Sequence, residues 1–298
     1  MRPVATRPGG GDAPHEGPDY WDGIMEAWEP SPANRLWRAH SDAVNIGLIR
    51  RWLEPGRGVV VKTDLFDEAV GQGVFAELAE RADRVVGVDV SPRVVRAALE
   101  RFPGLCGVVA GVEALPFGDG TVDTVFSNST LDHFASHAQL RLSAAELARV
   151  VRPGGRLLVT LDNRANPVVA LRTQALSGLW RRLGLVPYFV GATYGVRGLV
   201  RLLEQVGFDV VRSAAVMHAP PQLLARRAVR RRAVAPDAHL RSVLPFEVMA
   251  DWPTARLTGH FAAALAVRRA GPVTRPRSCH SPFGSPVAGY SAPCRREG

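Results

Sequence analysis

From Gly58 onward, short apolar runs alternate with helix-forming stretches, and nothing else in the 298 residues constrains the fold as tightly. Val59-Val60-Val61 reads as a buried strand, followed by a helical stretch over 74–81. Residues 84–89 (RVVGVD) form a second strand, after which Ser91-Pro92 supplies an N-cap and a first-turn proline for a helix over 93–101. Strands are expected over 105–110, 121–126 and 156–161, with a helix over 138–151 that Pro153-Gly154-Gly155 stops. A helix over 199–206, closed by Gly207 as its C′ residue, precedes two last strands at 208–216 and 260–267. Repeated βα units of this length predict an α/β fold: a doubly wound, mainly parallel, seven-stranded sheet with right-handed crossovers.

The flanks read differently. Residues 1–18 are rich in Gly, Pro and polar groups and are expected to be disordered. Residues 19–56 carry apolar side chains at helical spacing, among them Leu36, Trp37, Val44, Leu48 and Trp52, and end at Pro55-Gly56. The main domain then spans 57–270, and residues 271–298 read as a flexible basic tail. There is no apolar run long enough to cross a membrane, and the first residues hold no secretory h-region. Three cysteines, two of them in the tail, are too few for a disulfide framework. A cytoplasmic protein is expected.

The formal charge of +9 is concentrated. Residues 222–232 contribute five arginines and the tail a net +3, so the rest of the chain is near neutral. No aromatic residues interleave with those arginines, which argues against nucleic acid as a partner. Arginine so dominates that Lys62 is the one lysine among 37 basic residues.

In an open parallel sheet, ligands bind beyond the carboxyl ends of the strands, where strand order reverses. Asp89 ends the second strand, so its carboxylate either accepts from vicinal ribose hydroxyls or caps the next helix, a task Ser91 already fills. The loop after the first strand holds Lys62, Asp64, Asp67 and Glu68. Gly71, Gly73 and Ala76 formally match the G-x-G-x-x-A dinucleotide fingerprint, but nine residues separate Val61 from Gly71, where the fingerprint needs a tight turn. Three acids would also repel a pyrophosphate. Such a loop suits a ligand with positive charge, although the lysine and the acids could equally pair with one another. A nicotinamide-dependent oxidoreductase therefore stays only as an alternative.

Two later segments are more diagnostic. Leu115-Pro116-Phe117, Asp119-Gly120, Asp123 and Val125 lead into the fourth strand, and Arg149-Val150-Val151-Arg152-Pro153-Gly154-Gly155 leads into the fifth. With VVGVDVSP at 85–92, this ordered set resembles the class I S-adenosylmethionine-dependent methyltransferases of the type 11 group, over roughly residues 58–207. The resemblance implies a Rossmann-like methyltransferase fold, S-adenosylmethionine as cofactor, and a small-molecule or glycan-type acceptor methylated on oxygen or nitrogen. It places Asp89 on the ribose, Glu113 and Ala114 around the adenine, and Ser127 and Asn128 near the methionine end. Lys62, Asp64, Glu68 and Gly71 stand where the family keeps an acid and a G-x-G-x-G loop. Lys62 is expected either to meet the methionine carboxylate or to hold Asp64 and Glu68 toward the ammonium. That departure also leaves open a cofactor-binding but inactive regulator.

Methyl transfer needs alignment and, for a hydroxyl acceptor, a base. His133, just past the fourth strand, is the candidate base, with Asp132 to orient it. Asp162 and Asn163, past the fifth strand, are candidate acceptor contacts. Residues 162–194 interrupt the βα rhythm, and in this family such insertions form lids. Here Leu176, Leu179, Trp180, Leu183 and Phe189 make it apolar, which suits a hydrophobic acceptor or peripheral contact with a membrane surface, or plain core packing. No metal-ligand spacing stands out.

Overall fold

A computed structural model describes residues 17–28, 31–56, 58–171, 189–219 and 236–271. The expectations for residues 1–16, for the apolar stretch from Leu176 to Trp180 and Leu183, for the arginines of 222–232 and for the tail beyond 271 lie outside the described residues.

The core is a seven-stranded sheet in the order β3-β2-β1-β4-β5-β7-β6. Its strands are β1 (Val59–Thr63), β2 (Arg84–Asp89), β3 (Cys106–Val109), β4 (Val122–Asn128), β5 (Val151–Asp162), β6 (Phe208–Val216) and β7 (Phe261–Arg268). β1 pairs in parallel with both β2 and β4, and β3 and β5 extend the parallel set on either side. β7 is inserted antiparallel between β5 and β6. The chain moves outward from β1 to β3 and then returns to β4, so strand order reverses between β1 and β4. That reversal fixes where a ligand site opens.

Alternate residues of the central strands feed two separate cores. Val61, Val125, Leu157 and Val159 face one side, under α6 (His137–Val150) and α8 (Val196–Gln205). Val60, Phe126 and Leu158 face the other, under α2 (Pro32–Trp52), α4 (Phe75–Ala79) and α5 (Pro92–Arg101). Burial of side chains such as Phe126 and Leu158 stabilises the sheet by about 1.5–3 kcal/mol each. On the second face a short helix, α3 (Phe66–Val70), also forms inside what the sequence reads as loop. The N-terminal segment forms α1 (Pro18–Glu26) and the long α2.

The fifth strand begins earlier than its apolar run. Val122 pairs with Val151, and pairing resumes only at Thr124 with Arg156, so residues 152–155 make a bulged excursion. Gly154 sits there at φ +76°, and a side chain on Gly155 would meet the backbone oxygens of Asp123 and Arg152. The Pro-Gly-Gly motif therefore re-aims a continuous strand rather than ending a helix ahead of it. Asp123, the acid of the fourth-strand motif, holds this edge by accepting from Val59 N and Arg152 Nε at 2.8 and 2.7 Å. Arg149 donates to the carbonyls of Leu115 and Phe117, which makes the Leu-Pro-Phe run a braced loop. α7 (Pro167–Ala170) follows β5, and after α8 and β6 come α9 (Pro236–Val243), a 3-10 stretch (Leu244–Asp251) and α10 (Ala255–Thr258) before β7. No helix among the described residues is long and apolar enough to cross a membrane.

Candidate active site

A cleft of about 640 Å³, its open mouth included, lies over the carboxyl ends of β3, β2, β1 and β4. Thr63, Asp64 and Phe66 line it from the end of β1, and Val88, Asp89 and Val90 from the end of β2. Gly111 and Glu113 follow β3, while Thr130, His133 and Phe134 follow β4. A second cavity of about 520 Å³ continues past β1 and β4 toward the start of β7. Trp37, Arg38 and Ser41 of α2, Asn128 and Ser129 of β4 and its exit, and Phe261 belong to this cavity alone. Four residues are common to both: Trp21, Asp64, Phe66 and His133.

The turn at the end of β1 is held by charge in place of glycine freedom. Asp64 takes φ +68°, which a short polar side chain tolerates better than most, and its Oδ1 accepts from Phe66 N at 2.8 Å. Lys62 is fully buried, with its ammonium on the Asp64 carbonyl and 2.8 Å from Glu68 Oε2. Glu68 in turn accepts from Val74 N at 2.9 Å, beneath Gly73 at φ +59°, whose missing Cβ would collide with the Glu68 carboxylate. Of the two expected roles for Lys62, the geometry matches the holding one with respect to the Asp64 backbone. Neither Lys62 nor Glu68 lines the cleft, because each is the other's buried counter-ion. Gly71 is also displaced from the site. It caps α3 in an extended conformation, well past the turn, so the dinucleotide fingerprint has no structural counterpart here.

Asp89 stands in the cleft wall. Its two oxygens accept from Leu65 N and Ser91 N at 2.8 and 2.9 Å, tying the ends of β1 and β2 together. Burial, and then repulsion from Asp64, push its carboxyl up to about 7. Burial also raises Asp64, to about 6, against the pull of Lys62 and with a further push from Asp67. Two carboxylates held this close to neutrality favour a ligand that brings positive charge.

His133 Nδ1 lies 2.8 Å from the carbonyl oxygen of Phe189. A carbonyl only accepts, so Nδ1 is the donor in this contact. Trp21 packs edge-on against this imidazole at 4.8 Å between ring centroids. Asp132 does not supply the orienting bond that the sequence suggests. Its Oδ2 accepts from Asp162 N at 2.6 Å and Ser129 Oγ at 3.0 Å, which joins β4's exit to β5.

Most of the other expected contacts are hydrogen-bonded within the fold. Asp162 is buried beside His260, with its Oδ1 3.4 Å from that ring's Nε2. Asn163 is fully buried and donates to the Arg256 and Gly259 carbonyls at 2.8 and 2.9 Å. Neither lines either of the two cavities described above, and β7 and α10 cover the end of β5. Ser127 is buried under Thr63 Oγ1 at 2.9 Å, and Ala114 is exposed beside the cleft without lining it. Glu113 is exposed at the rim, and Asn128 reaches the second cavity while accepting from Thr160 Oγ1 at 2.6 Å. The sequence reading missed the walls supplied by Trp21, Arg38, Phe66 and Thr130. Arg38 lies 4.5 Å above the Trp28 ring, 4.8 Å from Phe66, and ion-paired with Asp67.

Residues 66–159 match the methyltransferase-domain family model. A Mycolicibacterium smegmatis protein named "Probable S-adenosylmethionine-dependent methyltransferase" is 30% identical over 156 residues, 52% of this chain and 55% of that one. Over residues 66–159 the chain is therefore similar to the methyltransferase-domain family. A demethylmenaquinone methyltransferase of Beutenbergia cavernae is 35% identical over 135 residues, 42% of this chain and 52% of its own length. This chain thus spans about half the length of these curated relatives. Among solved structures, a Thermotoga maritima S-adenosylmethionine-dependent methyltransferase shares the fold at TM-score 0.51 and 17% identity, over 79% of this chain and 93% of that one. A [4+2]-cyclase shares it at TM-score 0.52 and 17% identity, over 78% and 82%.

Proposed function

We propose that the chain is a cytoplasmic methyltransferase that moves the methyl group of S-adenosylmethionine to an oxygen of a small acceptor. The observation that carries this reading is Asp89, a carboxylate in the wall of the cleft at the strand reversal, with Asp64 beside it. When bound, S-adenosylmethionine supplies a methyl group on a positively charged sulfur. Asp89 accepts from the ribose hydroxyls, and the backbone around Gly111 and Glu113 borders the adenine. Asp64 faces the cationic end, and Asn128 borders it from β4. His133 Nε2 takes the proton of the acceptor hydroxyl. Its place among the four residues shared by both cavities supports that role, since a transferred group passes from one chamber to the other there.

Asp89→Asn tests the assignment. An amide offers one acceptor oxygen where the carboxylate offers two, so affinity for S-adenosylmethionine by calorimetry is expected to fall at least about tenfold, with the circular dichroism of the folded protein retained. Unchanged affinity removes Asp89 from the site and the methyltransferase reading loses its main support. The named substrates of the relatives do not decide the acceptor, because one fold hosts many chemistries.

A further inference from the structure

Resting on the methyltransferase reading, we infer that the second cavity is the acceptor chamber and that it takes a neutral aromatic ring carrying a hydroxyl and a carbonyl oxygen. Along the strand ends, the first cleft covers β3, β2, β1 and β4, while the second covers β1, β4 and β7. A nucleoside gripped at Asp89 occupies the β2 and β3 end, which leaves the chamber beyond β4 for the acceptor.

The walls state the chemistry. Trp21, Trp37, Phe66 and Phe261 present four aromatic side chains, a surface that suits a flat ring. Arg38 is the one arginine or lysine lining this chamber among the described residues, and its charge is matched by the ion pair with Asp67. That leaves the Asp64 carboxylate, which lines both cavities at the cationic end of the cofactor. An acceptor with a phosphate or several carboxylates would meet a like charge there, and a neutral one does not.

Arg38 also leaves a specific demand. Its Nε is buried and has no hydrogen-bond partner among the described residues. A buried N–H of this kind is costly to leave unmade, and a carbonyl oxygen on the ligand satisfies it. The ring is then held between two anchors: Arg38 Nε on the carbonyl oxygen and His133 Nε2 on the hydroxyl. In the transfer, the hydroxyl oxygen forms a bond to the methyl carbon. The carbon–sulfur bond breaks with its electron pair remaining on sulfur, and the hydroxyl proton moves to His133 Nε2. Products are an aryl methyl ether and the neutral thioether, with no oxidant or reductant involved.

The test uses the full chain saturated with S-adenosylhomocysteine and calorimetric titration of ortho- and para-hydroxyacetophenone, phenol, cyclohexanol and glucose. A hydroxyacetophenone is expected to bind saturably and about tenfold more tightly than phenol, as a charge-assisted hydrogen bond requires, with no binding of cyclohexanol or glucose. Arg38→Lys keeps the charge but loses the planar N–H, so the preference over phenol should vanish while S-adenosylhomocysteine still binds. Trp37→Leu should weaken all the aromatic probes together. Binding of glucose or cyclohexanol as well as the aromatics overturns the inference, as does absence of aromatic binding to the saturated protein or an unchanged preference in Arg38→Lys. Failure of S-adenosylhomocysteine itself to bind overturns the methyltransferase reading instead, so the two failures are told apart.

Discussion

Lys62 and Glu68 are both buried beyond solvent's reach, and each is tolerable only because the other is there. Removing one partner of a buried pair leaves a charge with no compensation, which costs about 3–5 kcal/mol. Lys62→Met is therefore expected to lower unfolding free energy by about that amount in a denaturant titration, and pairing it with Glu68→Leu should recover much of the loss. A cofactor-contact role for Lys62 predicts otherwise: stability near wild type with binding lost. From the sequence, a solitary lysine among arginines marks the position as special, but not whether its ammonium points at a ligand or at the chain. That choice depends on Glu68 curling back over Gly73, a contact set by backbone geometry at φ +59° rather than by any motif. The same limit explains Asp132: adjacency to His133 suggests a dyad, while the side chain of a residue in a 3-10 turn leaves in a different direction from its neighbour's.

At the scale of elements, the legible features were those with a local physical signature. Ser91 caps α5 by accepting from Val94 N at 3.1 Å, and Pro92 occupies the first turn, as the sequence indicates. Ser91 Oγ also donates to Asp22 of α1, so one hydroxyl serves both the cap and the attachment of the N-terminal helix. Ser91→Ala should destabilise the protein by about 1 kcal/mol through the cap, read as a lower melting temperature, and should raise amide exchange in α1. Loss of the cap alone would leave α1 exchange untouched. The walls given by Trp21 and Arg38 were illegible for the opposite reason. Aromatic and apolar residues at helical spacing in α1 and α2 read as a packing stripe, and only the fold of the whole chain shows that part of that stripe faces a cavity.

The whole molecule titrates through its buried groups. Asp64, Asp89 and Asp42 have folded values of about 6, about 7 and about 8, above the ordinary carboxylate range, in each case chiefly through burial. A raised carboxylate stabilises the fold at low pH, and the contribution is lost as pH rises through the folded value. His40 is held neutral near 4, chiefly by burial and then by His239 and His260, so its contribution is lost only as pH falls below about 6.5. Between about pH 6.5 and 8 these raised carboxylates make the melting temperature of the cofactor-free protein fall as pH rises. Affinity for S-adenosylmethionine should move the other way, rising about tenfold from pH 6 to 8 as Asp89 ionises, with proton release on binding. Calorimetry in two buffers of different ionisation heat measures that release directly, and no release would mean the two carboxyls are already ionised in the empty cleft.

Trp21 hangs from a helix none of whose residues is fully buried, yet its indole rests on His133 and Phe66 where the two chambers meet. It therefore acts as a built-in optical gauge: whatever enters either side changes the polarity around one indole. A wild-type minus Trp21→Phe difference spectrum isolates that emission from the other tryptophans, and stepwise addition of nucleoside and ring compounds should shift its wavelength in two separable stages.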